Sequence, residues 1–247
     1  MHAQEFQPPY TPIAYGVTTL RQNGYALLHA ADVQAWLAAT ADELGAVHAG
    51  WNALPADAYL KDGGRYRRRR HSSFVVEGEQ VRLVPHRAHW QPLEYNALHG
   101  GMQRWFEPML PQTVALPVWS RLLARVGETV SALHGERPWF VEAHTFRIDT
   151  AGGIGRPTPE GAHRDGVDLV AVFMLDRHAI KGGESRVFEA NGPAGQRFTL
   201  REPWSLLLLD DARVIHETTP IQPLSPDELG WRDTLVLTYR RDGFQES

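Results

Sequence analysis

Seven short apolar runs crowd the C-terminal part of the chain. "WFVEAHTFRID", "VDLVAVFML", "SRVFEA", "QRFTL", "WSLLLLD", "ARVIHETT" and "DTLVLTYR" follow Gly135 in turn. Clusters of Gly, Pro, Asn and Asp separate them, and no long helical pattern intervenes. Runs of this length with that punctuation read as strands. Strands in succession without crossover helices build a β-sandwich or jelly roll. The expected fold is therefore mainly β, with helical N-terminal support for a jelly-roll core. One domain is expected over residues 1–247. Residues 1–12, with three prolines, read as an extended arm, 13–135 as helical support with some strands, and 136–243 as the jelly-roll core. Within the support, residues 31–46 predict one amphipathic helix. Asp32 is its N-cap, Val33, Trp36, Leu37 and Leu44 form much of one face, and Gly45 stops it. Residues 97–134 read as helical, broken near Pro108, Pro111 and Pro117. "RRHSSFVV" and "VRLV", around 69–84, are candidates for further strands of the core.

Composition bounds the function. Apolar residues make up 43% of the chain and charged residues 22%, enough for a packed core. Cysteine is absent, which excludes disulfides, zinc-thiolate sites, iron–sulfur clusters and thiol catalysis. A net charge of −4 and a pI near 6.3 argue against a general nucleic-acid binder. No apolar run approaches the roughly 20 residues of a membrane span. The lack of cysteine favours a cytoplasmic address, and the N-terminus lacks the basic start and apolar stretch of a secretory signal.

In "EGAHRDGVDLVAVFML" a histidine and an aspartate flank one spacer at the mouth of an apolar strand. In an extended chain, residues two apart share a face, so His163 and Asp165 can aim at one point while Arg164 points away. A third ligand can come from another strand, and His216, at the end of "LLLLDDARVIH", is the candidate. Two histidines and one carboxylate form the facial ligand set of non-heme Fe(II) oxygenases. Zinc or manganese can use the same atoms, and a His-x-Asp tripeptide also arises by chance. Sixteen residues after His216, Arg232 opens the last strand. Alternation groups it with Thr234, Val236 and Thr238, against Leu235, Leu237 and Tyr239 on the other face. An inward guanidinium is costly without an anion, and it pairs bidentately with a carboxylate. 2-Oxoglutarate chelates a metal at one end and offers a carboxylate at the other. The competing reading is a surface arginine paired with Asp233, Asp227 or Glu228.

With these residues the chain resembles the Fe(II)/2-oxoglutarate-dependent dioxygenase superfamily. More narrowly it resembles a bacterial group containing free L-amino-acid hydroxylases, such as isoleucine 4-hydroxylases, and biofilm-, stress- and motility-associated proteins. "RYRRRRHSSF", "QPLEYNALHGGMQRWFEPM" and "GRPTPEGAHRDGVDLV" carry the narrower likeness. The resemblance implies a double-stranded β-helix of the cupin-like jelly-roll type. It implies Fe(II) on His163, Asp165 and His216, and 2-oxoglutarate anchored by Arg232. The implied reaction is hydroxylation of a small molecule, first of all a free L-amino acid, with release of succinate and CO2. In much of the superfamily the anchoring basic residue lies nearer the distal histidine. The longer spacing requires "TPIQPLSPDELG" to be a loop, and Arg213, Arg240 and Arg241 are rivals for the anchor.

"RYRRRRH" is the loudest charge feature. If it is a strand, Arg68 and Arg70 share a face with Phe74, and Arg67, Arg69 and His71 take the other. Arg68 and Arg70 are the candidates for binding a substrate carboxylate, against a solvated strand paired with surface acids. Glu142, His144, Arg147, Asn96 and Arg104 read as structural more readily than functional. "GGIGRP" lacks the strand-then-helix context of a dinucleotide site. Two other readings stay open: a zinc or manganese enzyme without 2-oxoglutarate, and a non-enzymatic binding protein of biofilm or stress physiology. The expected partner is a small molecule, not nucleic acid or membrane, and the sequence leaves the oligomeric state open.

Overall fold

A computed structural model describes residues 6–246. Residues 1–5 of the proline-rich arm lie outside the described residues, and 6–12 form neither helix nor strand. After a short 3-10 turn, α1 (Gly16–Asn23) ends at Gly24, whose φ is +78°. The chain turns there against the sheet, where a Cβ would meet Val214 at 2.7 Å, so glycine suits the position on two counts. Then come β1 (Tyr25–Leu28), α2 (Ala30–Trp36) and α3 (Ala41–His48). The hairpin β2 (Arg67–Glu77) and β3 (Gln80–Leu83) follows. A long irregular stretch leads to α4 (Pro111–Val114) and α5 (Pro117–His134). The remaining chain is β: β4 (Trp139–Asp149), β5 (Leu169–His178), β6 (Ile180–Gly182), β7 (Ser185–Glu189), β8 (Gly195–Phe198), β9 (Leu206–Asp210), β10 (Val214–Thr218), β11 (Ile221–Pro223) and β12 (Trp231–Arg240). Among the described residues, no helix is long and apolar enough to cross a membrane.

The major sheet has the order β1-β9-β5-β12-β4-β2-β3, and its pairs are antiparallel. A smaller layer, β10-β7-β8, is extended by β11-β6 and by single bridges at His163–His216 and Gly155–Ile221. This is a jelly-roll core. Alternation along the strands creates two interiors. Leu169, Ala171 and Phe173 of β5, with Leu206 and Leu208 of β9, pack with α1 to α3 and α5 in one cluster. Val170, Met174, Leu207 and Leu209 pack instead with Val187, Phe198 and Val214 of the smaller layer. Both faces of β9 are thus covered, which is why "LLLL" has no polar alternation. On β12, Leu235, Leu237 and Tyr239 join the helix-side core. Arg232, Thr234, Val236 and Thr238 line a cavity between the layers.

The helical support departs from its sequence reading at two places. Residues 31–46 form parts of two helices, because Thr40 caps a new one. The Thr40 hydroxyl accepts from Glu43 N at 3.1 Å, and the Glu43 carboxylate accepts from Thr40 N at 2.8 Å. That reciprocal capping box interrupts an otherwise continuous apolar spacing. His29, not Asp32, is the N-cap of α2, and Gly45 lies inside α3. Residues 97–110 contain no helix. A Cβ on Gly100 would lie 2.4 Å from the Asn96 carbonyl, and Gly101 has φ +72°. The stretch is a tight polar turn. A strand was also hidden in the support: β1 pairs with β9 at the sheet edge.

Candidate active site

The cavity opens between the two layers, and three of the sequence candidates meet in it. The ligand-type atoms of His163, Asp165 and His216 all lie within 4.8 Å of one another. One Asp165 oxygen is 3.8 Å from His163 Nε2, and the other is 3.7 Å from His216 Nε2. The strand expected under His163 and Asp165 begins only at Leu169. His163 is held by a single two-bond bridge to His216, with N···O distances of 3.0 and 2.9 Å. Asp165 sits on a turn organised by Asp211, whose carboxylate accepts from the backbone N–H of Asp165, Gly166 and Val167 at 3.0, 2.7 and 3.1 Å. Burial and the Asp165 charge push Asp211 up to about 7, and the three N–H donors oppose that rise. Convergence thus comes from a buried acid gathering a loop rather than from alternation.

The donor set fits a divalent metal. His163 Nδ1 donates to the Gly161 carbonyl at 2.9 Å, which leaves the Nε2 lone pair free for a ligand bond. Burial, reinforced by His163, holds His216 well below the ordinary histidine range, so it is a neutral ligand. Burial lowers His163 as well, but the Asp165 and Glu160 carboxylates outweigh it and raise the group. Among the described residues, no guanidinium donates to the side chain of any of the three. Asp165 accepts instead from an amide, Gln91 Nε2, at 3.1 Å. Gln91 is itself oriented: its oxygen accepts from Arg104 at 2.9 Å and from Asn96 at 3.2 Å.

Arg232 lines the same cavity. It is 4% exposed, and its Nε has no partner among the described residues. Burial pulls it down to about 9, with Arg177 adding to the fall and Asp233 opposing it. At neutral pH it is still a cation. Asp233 lies on the opposite face, engaged by Arg147 at 2.7 Å and His48 at 2.9 Å. The three rivals are occupied elsewhere. Arg213 donates to carbonyls at the end of α1, Arg240 to the Gly243 carbonyl, and Arg241 to Asp168.

The arginine run divides by face, and the cavity receives the other set. Arg68 and Arg70 do share a face with Phe74, but Phe74 packs on the helix side of the sheet. Arg68 lies 3.4 Å from Asp149, and Arg70 pairs with Glu107 and the Ala53 carbonyl. Arg67 and Arg69 point into the cavity with Arg104. Arg67 binds Asp57 at 2.7 Å. Arg69 is clamped between Phe106 and Phe146, 3.8 and 4.3 Å from their ring centres. Beside Arg69 lies a second histidine–carboxylate group of His71, His89, Glu142 and His144, all buried. Glu142 accepts from His71 at 3.1 Å, His89 at 3.0 Å and Arg87 at 3.2 Å. Arg69 donates to His144 Nδ1 at 2.6 Å. Two guanidiniums therefore use lone pairs that a metal would need. Gln91, His89 and Glu160 were not singled out from the sequence. The quoted "QPLEYNALHGGMQR" stretch holds the Gln91, Asn96 and Arg104 signal.

Residues 48–238 match the family model for 2OG-Fe dioxygenase. The crystal structure of a bsmA homolog from Methylobium petroleophilum PM1 is 50% identical over 98% of both chains, with a TM-score of 0.91. Two more distant structures share the fold. IDO from Bacillus thuringiensis is 15% identical over 98% of this chain and 100% of its own, with a TM-score of 0.75. The Fe(II)/(alpha)ketoglutarate-dependent dioxygenase TqaL is 20% identical over 91% and 85%, with a TM-score of 0.70. A comparison with curated proteins finds no match.

Proposed function

Because this chain belongs to the 2OG-Fe dioxygenase family, whose members use Fe(II) and 2-oxoglutarate, we propose that it hydroxylates a free L-amino acid. The observation that carries this reading is Arg232. A buried cation whose Nε has no partner among the described residues faces the cavity that also holds His163, Asp165 and His216. A buried charge left unpaired is strongly destabilising. The distal carboxylate of 2-oxoglutarate is an anion of matching planar geometry.

In this reading His163, Asp165 and His216 hold Fe(II). The bound metal supplies the redox chemistry that couples decarboxylation of 2-oxoglutarate to substrate oxidation. Gln91 keeps one Asp165 oxygen in a hydrogen bond and so orients the carboxylate. Arg232 anchors the co-substrate. Val172, Val236, Phe146 and Ile148 supply the apolar part of the wall and exclude water. The amino-acid assignment is supported by a second set of unsatisfied atoms. Arg67 Nη2, Arg104 Nε and Glu160 Oε2 are buried and lack partners among the described residues. All three residues line the cavity, and Arg104 feels the charges of Arg67 and Glu160. Two free cationic donors and one free acidic acceptor match an α-carboxylate and an α-ammonium. The substrate carboxylate thus goes to Arg67 and Arg104, in place of Arg68 and Arg70.

The test is an anaerobic titration of wild type and Arg232→Ala with Fe(II) and 2-oxoglutarate. A visible charge-transfer band in wild type that weakens in the variant supports metal, co-substrate and anchor together. A folded, metal-loaded wild type without a band would remove the assignment of these residues. A panel of free amino acids, scored by succinate release, then tests the substrate class.

A further inference from the structure

The proposed reaction leaves His71, His89, Glu142 and His144 unused, although His89, Glu142 and His144 line the cavity. Their protonation states follow from their neighbours. An ionised carboxylate only accepts hydrogen bonds, and a guanidinium only donates them. Burial opposes the charge on Glu142, but His89 and His71 beside it hold it well below the usual carboxylate range. It is therefore an acceptor, and the nitrogen that faces it in each ring carries the proton: Nε2 of His71 and Nδ1 of His89. Arg69 faces His144 Nδ1, so that atom is a lone pair. Burial pushes His89 down to about 4 and His144 well below the ordinary range, so both rings are neutral. A neutral imidazole has one donor and one acceptor. The second nitrogens are then opposite in kind. His89 Nε2 is an acceptor, and His144 Nε2 is a donor.

Neither of those nitrogens has a protein partner among the described residues. The two rings lie 4.6 Å apart between centres at 72°, and both residues line the cavity. Tertiary packing fixes both, since Glu142 and Arg69 are themselves buried and held. We infer that His89 and His144 form a recognition pair for a primary carboxamide on the substrate. The carboxamide N–H donates to His89 Nε2, and its C=O accepts from His144 Nε2. A carboxylate offers no proton to His89, and an ammonium offers no lone pair to His144. An aliphatic group leaves both nitrogens unpaired, which is the case a hydrogen-bonding site rejects best. Within the amino-acid reading, on which this inference rests, the substrate class is a carboxamide side chain rather than a branched aliphatic one.

The test measures anaerobic binding to the Fe(II)–2-oxoglutarate holoenzyme. The probes are L-asparagine and L-glutamine against L-leucine, L-aspartate and L-glutamate. The variants are His89→Asn and His144→Asn. Asparagine keeps the inner hydrogen bond, as a donor to Glu142 or an acceptor for Arg69, and deletes the outer nitrogen. The Fe(II)–2-oxoglutarate band checks that each variant keeps its centre. Wild type should bind one of the carboxamides at least about tenfold more tightly than the other probes, the worth of one good hydrogen bond. Either variant should cut that preference below about threefold. Equal or tighter binding of L-leucine by wild type, or a preference that survives both variants, would overturn the inference. n-Butyramide separates the two levels of the reading. If it binds and no amino acid does, the pair stands and the amino-acid reading falls. If nothing binds, both fall.

Discussion

Two groups of histidine and carboxylate line one cavity and have opposite surroundings. Around His163, Asp165 and His216 the hydrogen-bonding neighbours are the Gly161 carbonyl, the Gln91 amide and the Asp211 carboxylate. Around His71, His89, Glu142 and His144 two arginines donate directly into the group. The residue types are alike, so composition does not separate a metal centre from a hydrogen-bond network. The neighbouring cations do. A guanidinium takes the lone pair that a metal needs, and its charge repels a second cation in a site of low dielectric. The ligand inventory of a cluster must therefore be read together with the donors already bound to it.

The strongest way to break this contrast is to delete one carboxylate from each group. Asp165→Ala should lower succinate release by at least about 100-fold, since loss of a mere outer partner of a metal ligand costs 10–100-fold. Iron content after anaerobic loading should fall with it. Glu142→Ala should leave iron content intact and lower the melting temperature, because it removes the acceptor of Arg87 Nη1 and of two buried imidazole donors. Equal iron loss in both variants would erase the distinction. Next in size, Arg232→Ala should raise the 2-oxoglutarate concentration for half-saturation about 100-fold. Metal binding itself should hold, as calorimetry of Fe(II) or Mn(II) without co-substrate would report.

Smaller effects sharpen the picture. Gln91→Leu removes the hydrogen bond that orients Asp165 and should weaken Fe(II) binding about tenfold. An unchanged affinity would make Gln91 a packing residue. The smallest effect is a pH slope in stability. His89 is neutral in the fold, pushed down to about 4 by burial, whereas the unfolded chain protonates it near 6.5. Between those values the unfolded state binds more protons, so the stability present above about pH 6.5 is lost as pH falls toward 4. His89→Asn should flatten that slope in urea midpoints taken between pH 7 and 5. A pH slope left unchanged by His89→Asn would contradict a neutral, buried His89.

Much of the fold was legible because alternation is a local property. The runs from Trp139 onward became strands, and β12 divides its faces as its sequence reads. The helical support was harder. Apolar spacing suggested one helix over 31–46, but the Thr40–Glu43 capping box is worth about 1 kcal/mol locally and starts a second one. At the site, the approach of His163, Asp165 and His216 was foreseen from spacing, yet by the wrong local geometry. Asp211, never singled out, gathers the loop. The arginine run divides into the two faces its alternation predicts, but the face carrying Phe74, the candidate for a substrate carboxylate, does not meet the cavity. Phe74 faces the helices instead, since an aromatic side chain there packs with Trp119.

By itself the sequence determined the β-rich core, the absence of thiol chemistry and the residue types of a candidate nitrogen–oxygen metal site. These follow from composition and from a period of two along the chain, which need no knowledge of partners. Only the tertiary structure decided which face of β2 meets the cavity, which arginine lacks an anion, and which histidine nitrogens carry protons. Each of those depends on atoms brought close from distant parts of the chain. Arg69 sets the tautomer of His144 from 75 residues away, and a guanidinium buried among apolar strands is defined as unpaired only by everything that fails to reach it.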